Sequence, residues 1–192
     1  MSVNRREILL GAATLLLAER AAAQSVQSAA LWSELHKGGV GILLRHAQTE
    51  AGVGDPPGFR IGDCSTQRNL SDDGRRQAQR IGAALAARAV RVDQVLSSQW
   101  CRCLDTARLA FPKVAVEPYP ALNSFFDDRS AEPQQTREVA ARIAAIRAPA
   151  NVAFVTHHVN ILALTGVAAG SGEAVLVRSA GGSVQTLGRL VL

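Results

Sequence analysis

Aromatic residues are scarce: Phe, Trp and Tyr together make up 4% of the 192 residues. A base-stacking platform needs several exposed rings, so single-stranded nucleic acid is a poor partner for this chain. Cysteine is scarce too, with only Cys64, Cys101 and Cys103. That number excludes a disulfide-dense scaffold and a CxxC…CxxC zinc site. No Asp/Glu cluster has metal-ligand spacing, and neither a repeat nor a long linker is present. Charge of one sign is not concentrated. The 21 basic and 16 acidic residues give a net +5 without a basic run, which suits an anionic ligand at least as well as nucleic acid. What is present is apolar. At 47% hydrophobic and 19% charged, the chain can bury one real core and is not disordered.

Residues 1–23 read as an export signal. Arg5-Arg6 supply a positive start, and Ile8 to Ala18 a mostly apolar stretch too short to span a bilayer. Ala21-Ala22-Ala23 before Gln24 form a small-residue cleavage site. The run Asn4-Arg5-Arg6-Glu7-Ile8-Leu9 resembles a twin-arginine signal, although the usual lysine after the hydrophobic pair is missing. The expectation is a periplasmic or otherwise exported bacterial protein whose single domain occupies residues 24–192, without a stable membrane span. An N-terminal helix packed on the domain is the alternative, and 8–18 carries no polar face to support it.

Apolar positions over 26–37 predict a helix, ended by Gly38-Gly39. Val40 to Leu44 reads as a buried strand. Residues 50–69, rich in Gly, Pro and Asp, form a long loop of the kind that borders a site. Ser71 caps a helix reaching about Ala89, with Asp72 and Asp73 favourably placed in its first turn. A strand over 92–96, a helix over 101–109, a short strand over 114–116 and a helix over 134–147 follow. A strand over 152–156, a helix starting at 160–164 and a hairpin of 174–178 with 183–191 complete the chain. This alternation predicts an α/β three-layer sandwich: a mostly parallel central sheet flanked by helices.

In such sheets the ligand sits beyond the carboxyl ends of the strands. Those ends deliver Arg45-His46, then Ser97-Ser98 with Arg102 one turn into the next helix, then His157-His158. Arginines and histidines thus meet on one edge. A guanidinium fork matches phosphate oxygens two at a time, so phosphate is the expected occupant.

At these residues the chain resembles the histidine phosphatase (phosphoglycerate-mutase-like) superfamily. Leu43-Leu44-Arg45-His46-Ala47-Gln48-Thr49 is similar to its Arg-His-Gly signature, with Ala47 in place of the Gly. Leu70-Ser71-Asp72-Asp73-Gly74-Arg75-Arg76-Gln77-Ala78 resembles its L-[ST]-x-x-G-x-x-Q-A helix start. The stretch from Ser97-Ser98 through Arg102 to Thr106-Ala107 resembles its S-S-x-x-x-R-x-x-x-T-A segment, and Val155-Thr156-His157 its strand-end histidine. The resemblance implies a phosphatase in which His46 is the nucleophile and becomes a phosphohistidine. Arg45, Arg102 and His157 would bind the phosphoryl oxygens. It implies no metal, no cofactor and a phosphorylated small-molecule substrate. Thr49, Arg60 and Arg68 are candidates for substrate binding. His158 is expected to turn away from the site.

The chain also departs from that pattern. Many members place a Glu after Leu-Asn as general acid; here Leu122-Asn123 is followed by Ser124, which cannot donate a proton at neutral pH. Asp127, Asp128 and Glu173 are candidate substitutes, each equally readable as an ordinary loop acid. A missing acid disfavours mutase activity and alkyl esters. A non-catalytic phosphate-ligand binding protein on the same fold is therefore the alternative function. Cys101 and Cys103 face different ways on a helix and should not bridge each other. Two arrangements remain: a Cys64–Cys101 disulfide, expected in an oxidising compartment, or three thiols buried as small hydrophobes.

Overall fold

The computed structural model describes residues 27–192, so the export signal expected at 1–23 lies outside the described residues. Residues 27–37 form a helix, α1. Then follow β1 (Val40–Arg45), α2 (Asp72–Ala87), β2 (Gln94–Ser97), α3 (Cys101–Ala110), β3 (Val116–Pro118), α4 (Glu132–Ala144), β4 (Asn151–Thr156), α5 (His158–Thr165), β5 (Glu173–Ala180) and β6 (Ser183–Val191).

The strands form one six-stranded sheet in the order β3-β2-β4-β1-β5-β6. The pairs β3·β2, β2·β4 and β4·β1 are parallel, whereas β1·β5 and β5·β6 are antiparallel. The sheet is thus mixed, its parallel part carrying the site. Alternation along β1 sorts the two faces, as a pleated strand requires. Ile42 and Leu44 join a cluster with Leu31 and Leu35 of α1, Ile81 and Leu85 of α2, and Cys103 and Ala107 of α3. Leu43 points the other way, to Val139 and Ile143 of α4, Ile161 of α5 and Phe154. Three helices therefore cover one face and two the other, giving the expected three layers.

Several boundaries differ from the sequence expectation. Helix α4 starts at Glu132, because Pro133 suits the first helical turn, where its missing N–H is not needed. The short strand lies at 116–118 rather than 114–116, and α5 extends from His158 to Thr165.

Two local devices set the loop after β1. Ser71 caps α2, its Oγ accepting from Gly74 N at 3.1 Å, a contact that stabilises a helix by about 1 kcal/mol. A Cβ on Gly74 would stand 1.8 Å from the Gln48 carbonyl oxygen, so only glycine lets α2 approach this loop. Gln77, one turn on, accepts from Gln48 N (3.0 Å) and donates to Ser171 O (2.8 Å). From the other side, Thr106 Oγ1 accepts from Ala47 N (3.0 Å) and donates to Arg102 O (2.7 Å), tying α3 to the same turn.

Candidate active site

Register decides what meets what. Arg45 is level with Thr156 and Ser97 with Val155. His46 N donates to Thr156 O and Ser98 N to Val155 O, each at 2.9 Å, so the three chains leave the sheet together. His46, Ser98 and His157 consequently gather at one edge. A cavity of about 360 Å³ opens there, its wall including Arg45, His46, Arg102, His157 and, from the long loop, Asp55 and Arg68.

His46 is buried, and its Nδ1 lies 2.8 Å from Ala47 O. A carbonyl only accepts, so Nδ1 carries the hydrogen and Nε2 keeps a free lone pair. Burial lowers the imidazole pKa to about 3; the Ala47 hydrogen bond opposes the shift, and the charges of Arg102, Arg45 and Arg68 add to it. The ring is therefore neutral at pH 7. His157 stands edge-on to His46 with ring centroids 5.4 Å apart. Its Nε2 lies 2.8 Å from Ser98 Oγ, and burial, then the neighbouring His46, Arg102 and Arg45, hold its pKa well below the usual histidine value. Cys103 Sγ sits 3.5 Å from the same nitrogen, its thiol pushed up to about 12 by burial, so it is no nucleophile.

The arginines differ from surface arginines. Arg45 donates to Ala169 O at 2.9 Å, but its Nε, like those of Arg68 and Arg102, is buried without a partner. Burial and the charges of Arg68 and Arg102 lower the Arg45 pKa, a sign that cationic groups crowd one another. Unpaired buried donors cost about 1–3 kcal/mol each, and here three of them cluster behind one cavity wall.

Sequence reasoning missed Asp55. Its carboxylate accepts from Arg102 Nη1 (2.8 and 3.0 Å), Trp100 Nε1 (3.0 Å) and Arg68 N (3.0 Å). Burial alone would raise its pKa, but the Arg102 and Arg68 hydrogen bonds, the Arg102 charge and Trp100 outweigh that and keep it ionised. The only sequence signal was an Asp before Pro56-Pro57 in the long loop; its partner lies 47 positions away. Two further contacts pin that loop to α3. Cys64 and Cys101 form a disulfide (S–S 2.03 Å), and Gln67 Oε1 accepts from Cys101 N at the helix start (3.0 Å). Of the three cysteines, Cys103 is free and buried.

The remaining candidates scatter. Arg68 reaches the cavity; Arg60 does not, being exposed and paired with Asp63. Thr49 is bridged to Leu70 at the loop base, away from the cavity wall. Asp127, exposed, lines the cavity, as does the half-buried Ser124. Asp128 instead caps a 3₁₀ turn through Ser130 N (2.9 Å). Glu173 is bound to Arg189 (2.7 Å) and Gly170 N (2.7 Å) and is not part of the cavity wall. That ion pair and Gly170, with the Arg189 hydrogen bond strongest, lower its pKa against the opposing effect of burial. His158 does not turn away as expected: it lines the cavity, with Nδ1 3.2 Å from Ala169 O, because α5 starts at that residue rather than two further on. Among the described residues, no group of three or more His, Cys, Asp or Glu is arranged to hold a metal ion. None of the described helices is long and apolar enough to cross a membrane.

Strand order, flanking helices and a site at the parallel strand ends define the phosphoglycerate-mutase-like α/β fold. Residues 42–126 match the model of the histidine phosphatase superfamily, branch 1, a stretch that holds Arg45, His46, Asp55 and Arg102. Three solved structures share the fold. The alpha-ribazole phosphatase from Shigella flexneri is 18% identical, with a TM-score of 0.55 over 77% of this chain and 94% of that one. A mycobacterial glucosyl-3-phosphoglycerate phosphatase is also 18% identical, with a TM-score of 0.55 over 77% and 96%. The protein histidine phosphatase SixA, complexed with tungstate, is 14% identical, with a TM-score of 0.55 over 79% and 96%. No curated protein sequence is significantly similar to this chain.

Proposed function

We propose that this chain is a metal-independent phosphatase that works through a phosphohistidine at His46. The observation that carries the reading is the state of His46: buried, neutral, oriented by Ala47 O, and facing three arginines with unpartnered buried Nε groups. A binding protein needs the cations; it has no use for a positioned, deprotonated nitrogen.

In this reading Arg45, Arg102 and Arg68 take the phosphoryl oxygens and offset charge that builds in the transition state. The His46 Nε2 lone pair forms the bond to phosphorus while the bond from phosphorus to the departing oxygen breaks. That oxygen leaves with the electron pair and takes up a proton. Asp55 is a poor donor for it, being ionised and holding Arg102 in place. Asp127 at the mouth is the carboxyl group left to consider. His157, its Nε2 2.8 Å from Ser98 Oγ, stands edge-on to His46 on the same cavity wall, beside the transferred group. Water then attacks the phosphohistidine, releasing phosphate and restoring neutral His46.

Ser124 on the cavity wall, where an acid would help, favours substrates with acidic leaving groups and keeps the phosphate-binding alternative in play. Hydrolysis of p-nitrophenyl phosphate in EDTA separates the two: the phosphatase turns over and His46→Ala does not, whereas a binding protein retains phosphate without turnover. Export to an oxidising compartment is the accompanying proposal. The Cys64–Cys101 disulfide supports it, since such bonds persist outside the reducing cytosol. Fractionation of cells expressing the full chain, with Arg5 and Arg6 both changed to Lys as the control, tests it.

A further inference from the structure

With the phosphoryl group beside His46, as the proposed reaction requires, the departing group extends towards the cavity mouth. The floor carries the guanidinium charges of Arg45, Arg68 and Arg102 against the Asp55 carboxylate, with His46 and His157 neutral. Three charges against one leave a surplus that matches a single phosphoryl dianion. Among the described residues, no further Arg or Lys lines the cavity. Arg60, which could have met a second anion, stands outside it and is spent on Asp63.

The mouth has the opposite character. Val53 and Phe126 are large apolar side chains left 90% and 60% exposed, and both border the opening. Asp127 lies beside Phe126 at the same rim. Apolar surface with one carboxylate suits an uncharged or cationic group. A second phosphate or a carboxylate there would meet like charge with no arginine or lysine of its own to offset it, and juxtaposed like charge is how sites reject a wrong ligand.

We infer that the site takes phosphomonoesters whose departing group carries no negative charge, and that Asp127 rejects the acidic ones. The inference rests on the phosphatase reading and deepens it. It places the enzyme away from phosphorylated sugar acids and bisphosphates.

The test compares 4-carbamoylphenyl phosphate with 4-carboxyphenyl phosphate at low ionic strength, each kcat/KM corrected for the acidity of its departing phenol with a series of uncharged aryl esters. The wild-type chain should prefer the uncharged ester by about tenfold or more in kcat/KM, a size expected for one like-charge contact at partial exposure. Asp127→Asn should shrink that ratio several-fold, and Asp127→Lys should shrink it further or invert it; added salt should shrink it in the wild type. A wild-type ratio near one, with both esters hydrolysed through His46, overturns this inference and leaves the phosphatase reading standing. An Asp127→Asn variant that slows both esters equally also overturns it, marking Asp127 as a proton donor instead. Hydrolysis of neither ester overturns this inference, and the phosphatase reading falls with it when p-nitrophenyl phosphate is not hydrolysed either.

Discussion

Each end of the parallel sheet holds a cation-lined cavity, and only one of them has the makings of a chemical site. At the amino ends, Lys37, Arg147 and Arg178 surround a cavity of about 500 Å³. Each of those cations is already answered. Glu34 takes Lys37 at 2.6 Å and Arg178 at 2.8 Å, and Arg147 donates to Ala144 O and Ile146 O where α4 ends. Cations at helix carboxyl ends are ordinary structural chemistry. At the carboxyl ends, three arginines keep buried Nε groups without partners, beside a histidine whose lone pair is free. Unanswered donors in a dry setting, rather than the number of positive charges, mark the functional end.

Four changes would break or sharpen that contrast. The largest effect is expected from His46→Ala, which should reduce kcat on p-nitrophenyl phosphate by on the order of 10³-fold or more, because it removes the proposed nucleophile. Retained turnover in stopped-flow or steady-state assays would place the nucleophile elsewhere. Arg102→Ala should reduce kcat/KM by about 10²–10³-fold. It should also lower the melting temperature, since the Asp55 carboxylate is left buried without its ion-pair partner.

A third effect is on stability against pH. His46 has an ordinary value of 6.5 and is lowered to about 3 in the fold. In that window the unfolded chain binds a proton the folded chain refuses, so stability falls as pH drops from 6.5 towards 3. His157 is shifted in the same direction and adds to the loss. Denaturant melts at about pH 7 and about pH 4.5 should show it, and His46→Gln should flatten the dependence. The smallest effect belongs to the other end: Arg178→Ala should change kcat/KM by less than about twofold, as for an exposed ion pair remote from the chemistry. A large loss there would erase the contrast between the two cavities.

Much of the site was legible because it follows strands. Val40 to Leu44 reads as buried, and a residue next after a buried parallel strand falls at the ligand edge wherever the helices go. His46 and His157 follow from that rule, and Arg102 from being one turn into the next helix. The motif residues Gly74, Gln77 and Thr106 also acquire physical roles, as close approach, bridge and tether. Asp55 was not legible. Its four contacts reach Arg68, Trp100 and Arg102 from a loop without periodicity, so no local pattern could announce it. Arg60 and Arg68 looked alike in sequence, yet a short turn spends one on Asp63 and directs the other inward. Strands β5 and β6 were legible as a hairpin. Their antiparallel docking on β1, which makes the sheet mixed, depends on the path of residues 166–172, where no strand or helix pattern exists.

The most direct measurement is peptide mass mapping of the chain quenched in base during turnover of p-nitrophenyl phosphate. The account predicts one phosphoryl group on the peptide containing His46, formed and lost at the rate of turnover, and absent in His46→Ala. Steady hydrolysis with His46 unmodified throughout, its rate untouched by the substitution, would contradict it.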